Sequence, residues 1–158
     1  MAQICYGEYA RHKYDLGVQE DLVIPEDIRP LRGQCSSDGT NELVMTLNAP
    51  DKGDLRIVLR QFADGKPLRS SGGAPPHGVT LGNLLRLEAW QDQRSRPVVR
   101  HDDKAIWSGL SWAVGEVRRG DLDAGRPVRI RATSRATEPV ELQLECYAVT
   151  YRGSAGRH

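Results

Sequence analysis

The sequence predicts an all-β protein: a single-domain antiparallel β-sandwich of the jelly-roll or Greek-key type, with about eight short strands. Three observations predict it. Between Arg126 and Arg152 two period-two alternations follow one another, Val128, Ile130 and Ala132, then Val140, Leu142, Leu144, Cys146 and Ala148. Side chains alternate across a strand, so each run has one face to bury. The pattern recurs where Leu55, Ile57 and Leu59 alternate with Arg56, Val58 and Arg60. Turn-forming clusters of Gly, Pro, Asp, Asn and Ser separate the apolar runs at the spacing of a sandwich or barrel.

Taken in order, Gln3 to Val18 holds one or two strands, and Pro25 and Pro30 leave room for no more than a helical turn between them. A strand begins at Leu31, a turn covers Ser36 to Asn41, and Leu43 to Asn48 is the next strand. Asp54 to Phe62 follows and ends at Ala63-Asp64-Gly65-Lys66, a hairpin turn with Gly at its left-handed position. Ser70 to Gly78 is a long surface loop. The stretch 79–91 fits either a strand or a helix capped by Thr80, and the β context selects strand, with Trp90 outward. Val98 to His101 is a brief strand, and further apolar pieces lie within Lys104 to Val117. The last two strands are read as a hairpin turning near Ala136, which sets Arg131 opposite Glu141 and Arg129 opposite Gln143. Residues 1–158 then form one domain, with 153–158 as a loose tail.

Composition excludes several classes of function. A formal net charge of +1 argues against a nucleic-acid binder, and no apolar run is long enough to span a bilayer. The N-terminus lacks a secretory signal, so the chain is expected to be cytoplasmic at synthesis, with incorporation into a particle or leaderless release as routes onward. Cys5, Cys35 and Cys146 form no CxxC motif and read as reduced cysteines, Cys146 as a small core residue.

No constellation reaches the specificity of a catalytic motif. His101-Asp102-Asp103 would suit acid–base work or a divalent metal, but neighbours on a strand point to opposite faces. Ser70, Ser71 and His77 lie close together without a nucleophile elbow or a phosphate-loop ending. Arg119-Gly120-Asp121 matches an integrin-binding tripeptide and reads as a chance turn. Asp38, Asp51 and Asp54 lack the dense ligand spacing of a calcium loop. The arginines Arg129 and Arg131 read as a charge ladder with Glu141 and Glu145.

What remains is a set of outward aromatics and cations: Trp90, Tyr147, Tyr151, Arg129 and Arg131. These residue types are enriched where one protein covers another. The sequence is therefore read as a non-catalytic module for protein binding or self-assembly, without metal or cofactor, such as a structural component of a phage-like or secretion-like particle. Its partner would be a protein or a second copy. The alternatives are a lectin-like carbohydrate-binding module, with the aromatics as a sugar platform, and a small hydrolase using His101 or His77.

Overall fold

The structure, a computed structural model, describes residues 3–5, 25–37, 39–67, 85–100 and 112–151. Among them are twelve strands: β1 (Gln3–Cys5), β2 (Pro25–Leu31), β3 (Gly33–Ser36), β4 (Glu42–Asn48), β5 (Asp54–Ala63), β6 (Lys66–Pro67), β7 (Leu85–Gln91), β8 (Arg94–Arg96), β9 (Val99–Arg100), β10 (Trp112–Val117), β11 (Pro127–Ser134) and β12 (Glu141–Tyr151). The 3-10 turn Arg119–Asp121 is the one helical piece among the described residues.

The first sheet runs β1-β3-β4-β11-β7-β8 and the second β2-β12-β5-β10-β9, with β6 paired to β5 off that path. Every pairing is antiparallel. Without β1, β3, β6 and β9, eight strands remain, ordered β4-β11-β7-β8 and β2-β12-β5-β10; β2 and β8 were not expected as strands, and the expected strands near 31–35 and 98–101 are the β3 and β9 left aside. In chain order the first strand lies beside the eighth and the second beside the seventh, which is the wrapping of a jelly roll. The sandwich is as expected, with four more strands than the sequence predicts.

The final hairpin is not present. β11 pairs with β4 and β7 in the first sheet, and β12 pairs with β2 and β5 in the second. Arg131 therefore lies between Val44 and Glu88, and Glu141 lies beside Phe62. An arch that steps from one sheet to the other leaves the same inward parity as a hairpin, so alternation alone does not separate them.

Asn41 fixes the arch. Its φ of 60° is in the left-handed region, which Asn tolerates better than most residues. Its Nδ2 donates to the carbonyls of Ala136 (3.1 Å) and Glu138 (3.0 Å), and its Oδ1 accepts from the Val140 N–H at 2.7 Å. The Ser134 N–H donates to the Asn41 carbonyl at 2.9 Å. One side chain thus satisfies backbone groups that a sheet-to-sheet crossing takes out of any ladder.

The core lies between the inner faces. Leu43, Met45, Leu47, Leu87, Val128 and Ile130 of the first sheet meet Leu55, Ile57, Leu59, Leu142, Leu144 and Cys146 of the second. The Cys146 Sγ lies 3.5 Å from the Met45 Sδ across the interface. Gly115 is needed here: a Cβ would come within 2.6 Å of Val98 Cγ1 and 3.1 Å of Leu87 Cδ1. Polar contacts close the sandwich on both sides of this layer. Ser134 donates to Gln61 at 2.6 Å, while Gln91 donates to the Asp123 carbonyl at 2.8 Å and accepts from the Asp123 N–H at 2.7 Å.

Gly65 takes positive φ in the β5–β6 turn, as expected, and Asp64 does so too. The β7–β8 turn repeats this at Asp92 and Gln93, with no glycine to ease it. Residues 85–91 form a strand, which decides against a helix for that part of 79–91. Cys146 is free and buried, as a core residue should be, whereas Cys35 is disulfide-bonded and departs from the expected reduced state. Cysteine count and spacing do not reveal which residues strand pairing brings together.

Candidate functional site

The two sheets have unlike outer faces. On the first sheet the outward residues of β4, β11 and β7 are mostly polar, because only their inward positions meet the core: Glu42, Thr46 and Asn48 with Val44, then Arg129, Arg131 and Thr133, then Arg86 and Glu88 with Trp90. Arg129 sits in register with Thr46 on one side and Trp90 on the other. Its guanidinium lies over the Trp90 ring, 5.2 Å from the centroid. Arg131 bonds Glu42, and Arg86 lies 3.6 Å from Glu88. Arg129 and Arg131 are exposed and Trp90 is half-buried.

On the second sheet the outer face is a second core. Val58, Val114, Tyr147, Val149 and Tyr151 form a buried cluster with Ile28 against it. Inside it Arg56 and Glu116 pair with no exposed side-chain surface at all. Arg56 donates to one Glu116 oxygen from Nε (2.9 Å) and Nη2 (2.6 Å), and the Tyr151 hydroxyl donates to the same oxygen at 2.6 Å. Arg118 lies 3.7 Å from the other oxygen. The Tyr147 hydroxyl donates to Glu145 at 3.1 Å, and the Arg56 guanidinium lies 5.7 Å from the Tyr151 ring centroid. Since Arg56, Glu116 and Tyr151 belong to the neighbouring strands β5, β10 and β12, the cluster ties three strands of one sheet together. Its donors converge on a carboxylate of the same chain, an arrangement that suits cross-linking.

The five residues expected to bind therefore separate. Trp90, Arg129 and Arg131 come together on the exposed face of the first sheet. Tyr147 and Tyr151 do face away from the central core as expected, but they belong to the other sheet and are only 2% and 3% exposed within a single chain. A surface joining them to Arg129 and Arg131 does not exist, because the strands that carry the two groups are not a hairpin. Arg56 and Glu116 went unpredicted, since outward-parity charges on a strand read as solvated. The available sign was apolar company at the same parity: Val58 beside Arg56, Val114 beside Glu116 and Val149 between the tyrosines.

The remaining sequence candidates divide in the same way. Ser70, Ser71, His77, His101, Asp102, Asp103, Asp38, His12, His158, the Ser70–Gly78 loop and the 153–158 tail lie outside the described residues. Asp54 accepts from the Arg119 N–H at 2.7 Å, while Asp51 is exposed. In the Arg119–Asp121 turn the Arg119 guanidinium donates to the Pro50 carbonyl, so the turn anchors its own loop. Among the described residues no three His, Cys, Asp or Glu side chains gather as metal ligands, and no helix is long and apolar enough to cross a membrane.

Comparison with family models, with curated proteins and with solved structures gave no match.

Proposed function

We propose that the protein is a non-catalytic jelly-roll module that works by binding protein, a different chain or copies of itself, through the outer face of its first sheet. One observation carries this reading: half-buried Trp90 lies under the exposed Arg129 on a face that is otherwise mostly polar. Tryptophan and arginine are the residues that dominate binding energy at protein interfaces, where a rim of polar groups surrounds them. Here Arg131–Glu42 and Arg86–Glu88 supply such a rim. A sugar platform is the weaker reading, because a ring that stacks on a pyranose needs its face open and Arg129 lies over this one. Jelly rolls include capsid and lectin domains, which is an analogy of fold alone. The disulfide at Cys35 favours a working place outside the reducing cytoplasm, where such a bond persists.

The test is photo-cross-linking in the source cells with a benzophenone side chain at Glu88, beside Trp90, and a control at Arg29 on the other sheet. A discrete protein adduct from position 88, absent from position 29 and lost on Trp90→Ala, is the expected result. Equal labelling at both positions, or an adduct indifferent to Trp90, would remove this face from consideration. Solution mass as a function of concentration then separates self-assembly from a different partner.

A further inference from the structure

We infer that Arg129, set on Trp90 and flanked by Thr46, is a receptor for a carboxylate side chain of a protein partner; this rests on the binding face proposed above. Three arginines project from the central strands of that face, and their circumstances differ. Arg131 bonds Glu42 and Arg86 is near Glu88, whereas Arg129 has the Trp90 ring and no ion pair among the described residues. A ring under a guanidinium holds its plane while leaving the N–H edge free to donate. That edge matches a carboxylate through two parallel hydrogen bonds. The cross-strand neighbour Thr46 is exposed and carries a hydroxyl that can serve the same anion.

A phosphate backbone would value the same guanidinium, but the rest of the face opposes it. Nucleic acid is held by many cations in a row, and here Glu88 stands in register with Arg131 and Glu42 with Thr133, so carboxylates interrupt the basic residues of the same face. A single acidic side chain set in a neutral or basic surrounding fits three guanidiniums and two carboxylates better than a polyanion does. The occupant is therefore an acidic residue of a protein, presented over the centre of the sheet.

Isotope-labelled full-length protein titrated with a capped glutamate-rich peptide, its glutamine counterpart and an oligothymidine tests this. The glutamate peptide should shift the signals of Trp90, Arg129 and Thr46, with binding that weakens as salt is added. Arg129→Ala should lower its affinity about tenfold, Arg129→Lys by less, and Arg29→Ala, on the other sheet, hardly at all. Arg129 is exposed, so its variants should melt with the wild type; Trp90 is half-buried, and Trp90→Phe serves if Trp90→Ala does not fold. Equal binding of the glutamine peptide, an unchanged affinity in Arg129→Ala, or no shift at these residues overturns the inference. So does tighter binding of oligothymidine at the same residues, which would assign the site to phosphate. If the position-88 adduct persists through any of these failures, the binding face stands and only its carboxylate preference falls.

Discussion

Glu116 shows what a single residue is asked to do here. Removing a carboxylate from water costs several kcal/mol, and this one is compensated by Arg56 and Tyr151 in a cluster that also holds Val58, Val114, Tyr147 and Val149. Glu116→Gln takes a carboxylate charge away from a buried guanidinium and should lower stability by about 3–5 kcal/mol in urea unfolding. Exchanging Arg56, Glu116 and Tyr151 together for Met, Leu and Phe should recover most of that loss. A Glu116→Gln protein as stable as the wild type would show that the pair contributes nothing. Cys146 offers a second test. Burial, and then the Glu145 carboxylate beside it, push its thiol far above the ordinary value of 9.0. The folded chain therefore keeps a proton that the unfolded chain releases. The stability tied to this thiol is complete below pH 9 and declines as the pH rises beyond it. The comparison is with Cys146→Ala, whose stability should fall less steeply above pH 9. Parallel curves would mean the thiol is not linked to folding. The inward position of Cys146 was legible in the sequence, as was the burial of Leu142 and Leu144, because parity along β12 gives it directly. The burial of Tyr147 was not, since parity says which face a side chain takes and nothing about what lies over that face.

At the scale of elements, the instructive feature is the step from β11 to β12. Both strands were legible, and so was the turn that ends at Asn41. That a residue in this turn would hold a connection nearly a hundred positions later was not, because no local pattern encodes a long-range side-chain to backbone bond. Asn41→Ala removes three hydrogen bonds and places an ordinary Cβ at positive φ, and should cost about 2–4 kcal/mol. Asn41→Gly should recover only the conformational part. Asn41→Asp keeps the acceptor for the Val140 N–H but sets a carboxylate oxygen against the carbonyls of Ala136 and Glu138, so it should cost at least as much as Ala. If all three variants unfold at the wild-type midpoint, the arch is held by its strands alone. The strand at 85–91 was legible for a different reason: its β neighbours outweighed a plausible helical cap, and its paired register with β11 shows why.

For the whole molecule, the edges narrow the ways it can associate. β2 at one edge of the second sheet carries Pro25 and Pro30, and β8 at one edge of the first is three residues long with arginines at both ends, followed by Pro97. Proline withholds the N–H that an added strand would need, and short charged edges discourage pairing. Pairing along these two edges is thereby disfavoured, which agrees with the face-to-face reading given to Trp90 and Arg129. The unlike treatment of the two sheets has a further consequence, for the substitutions this chain can accept. β4, β7 and β11 should tolerate polar replacements at every second position, so a saturation library would return a period of two along them. β5 from Asp54 to Leu59, and β12 from Leu144 to Val149, are buried at consecutive positions and should return no period at all. Sequence drift would then gather on one side of the molecule, leaving the strands of the second sheet as its slow-changing record.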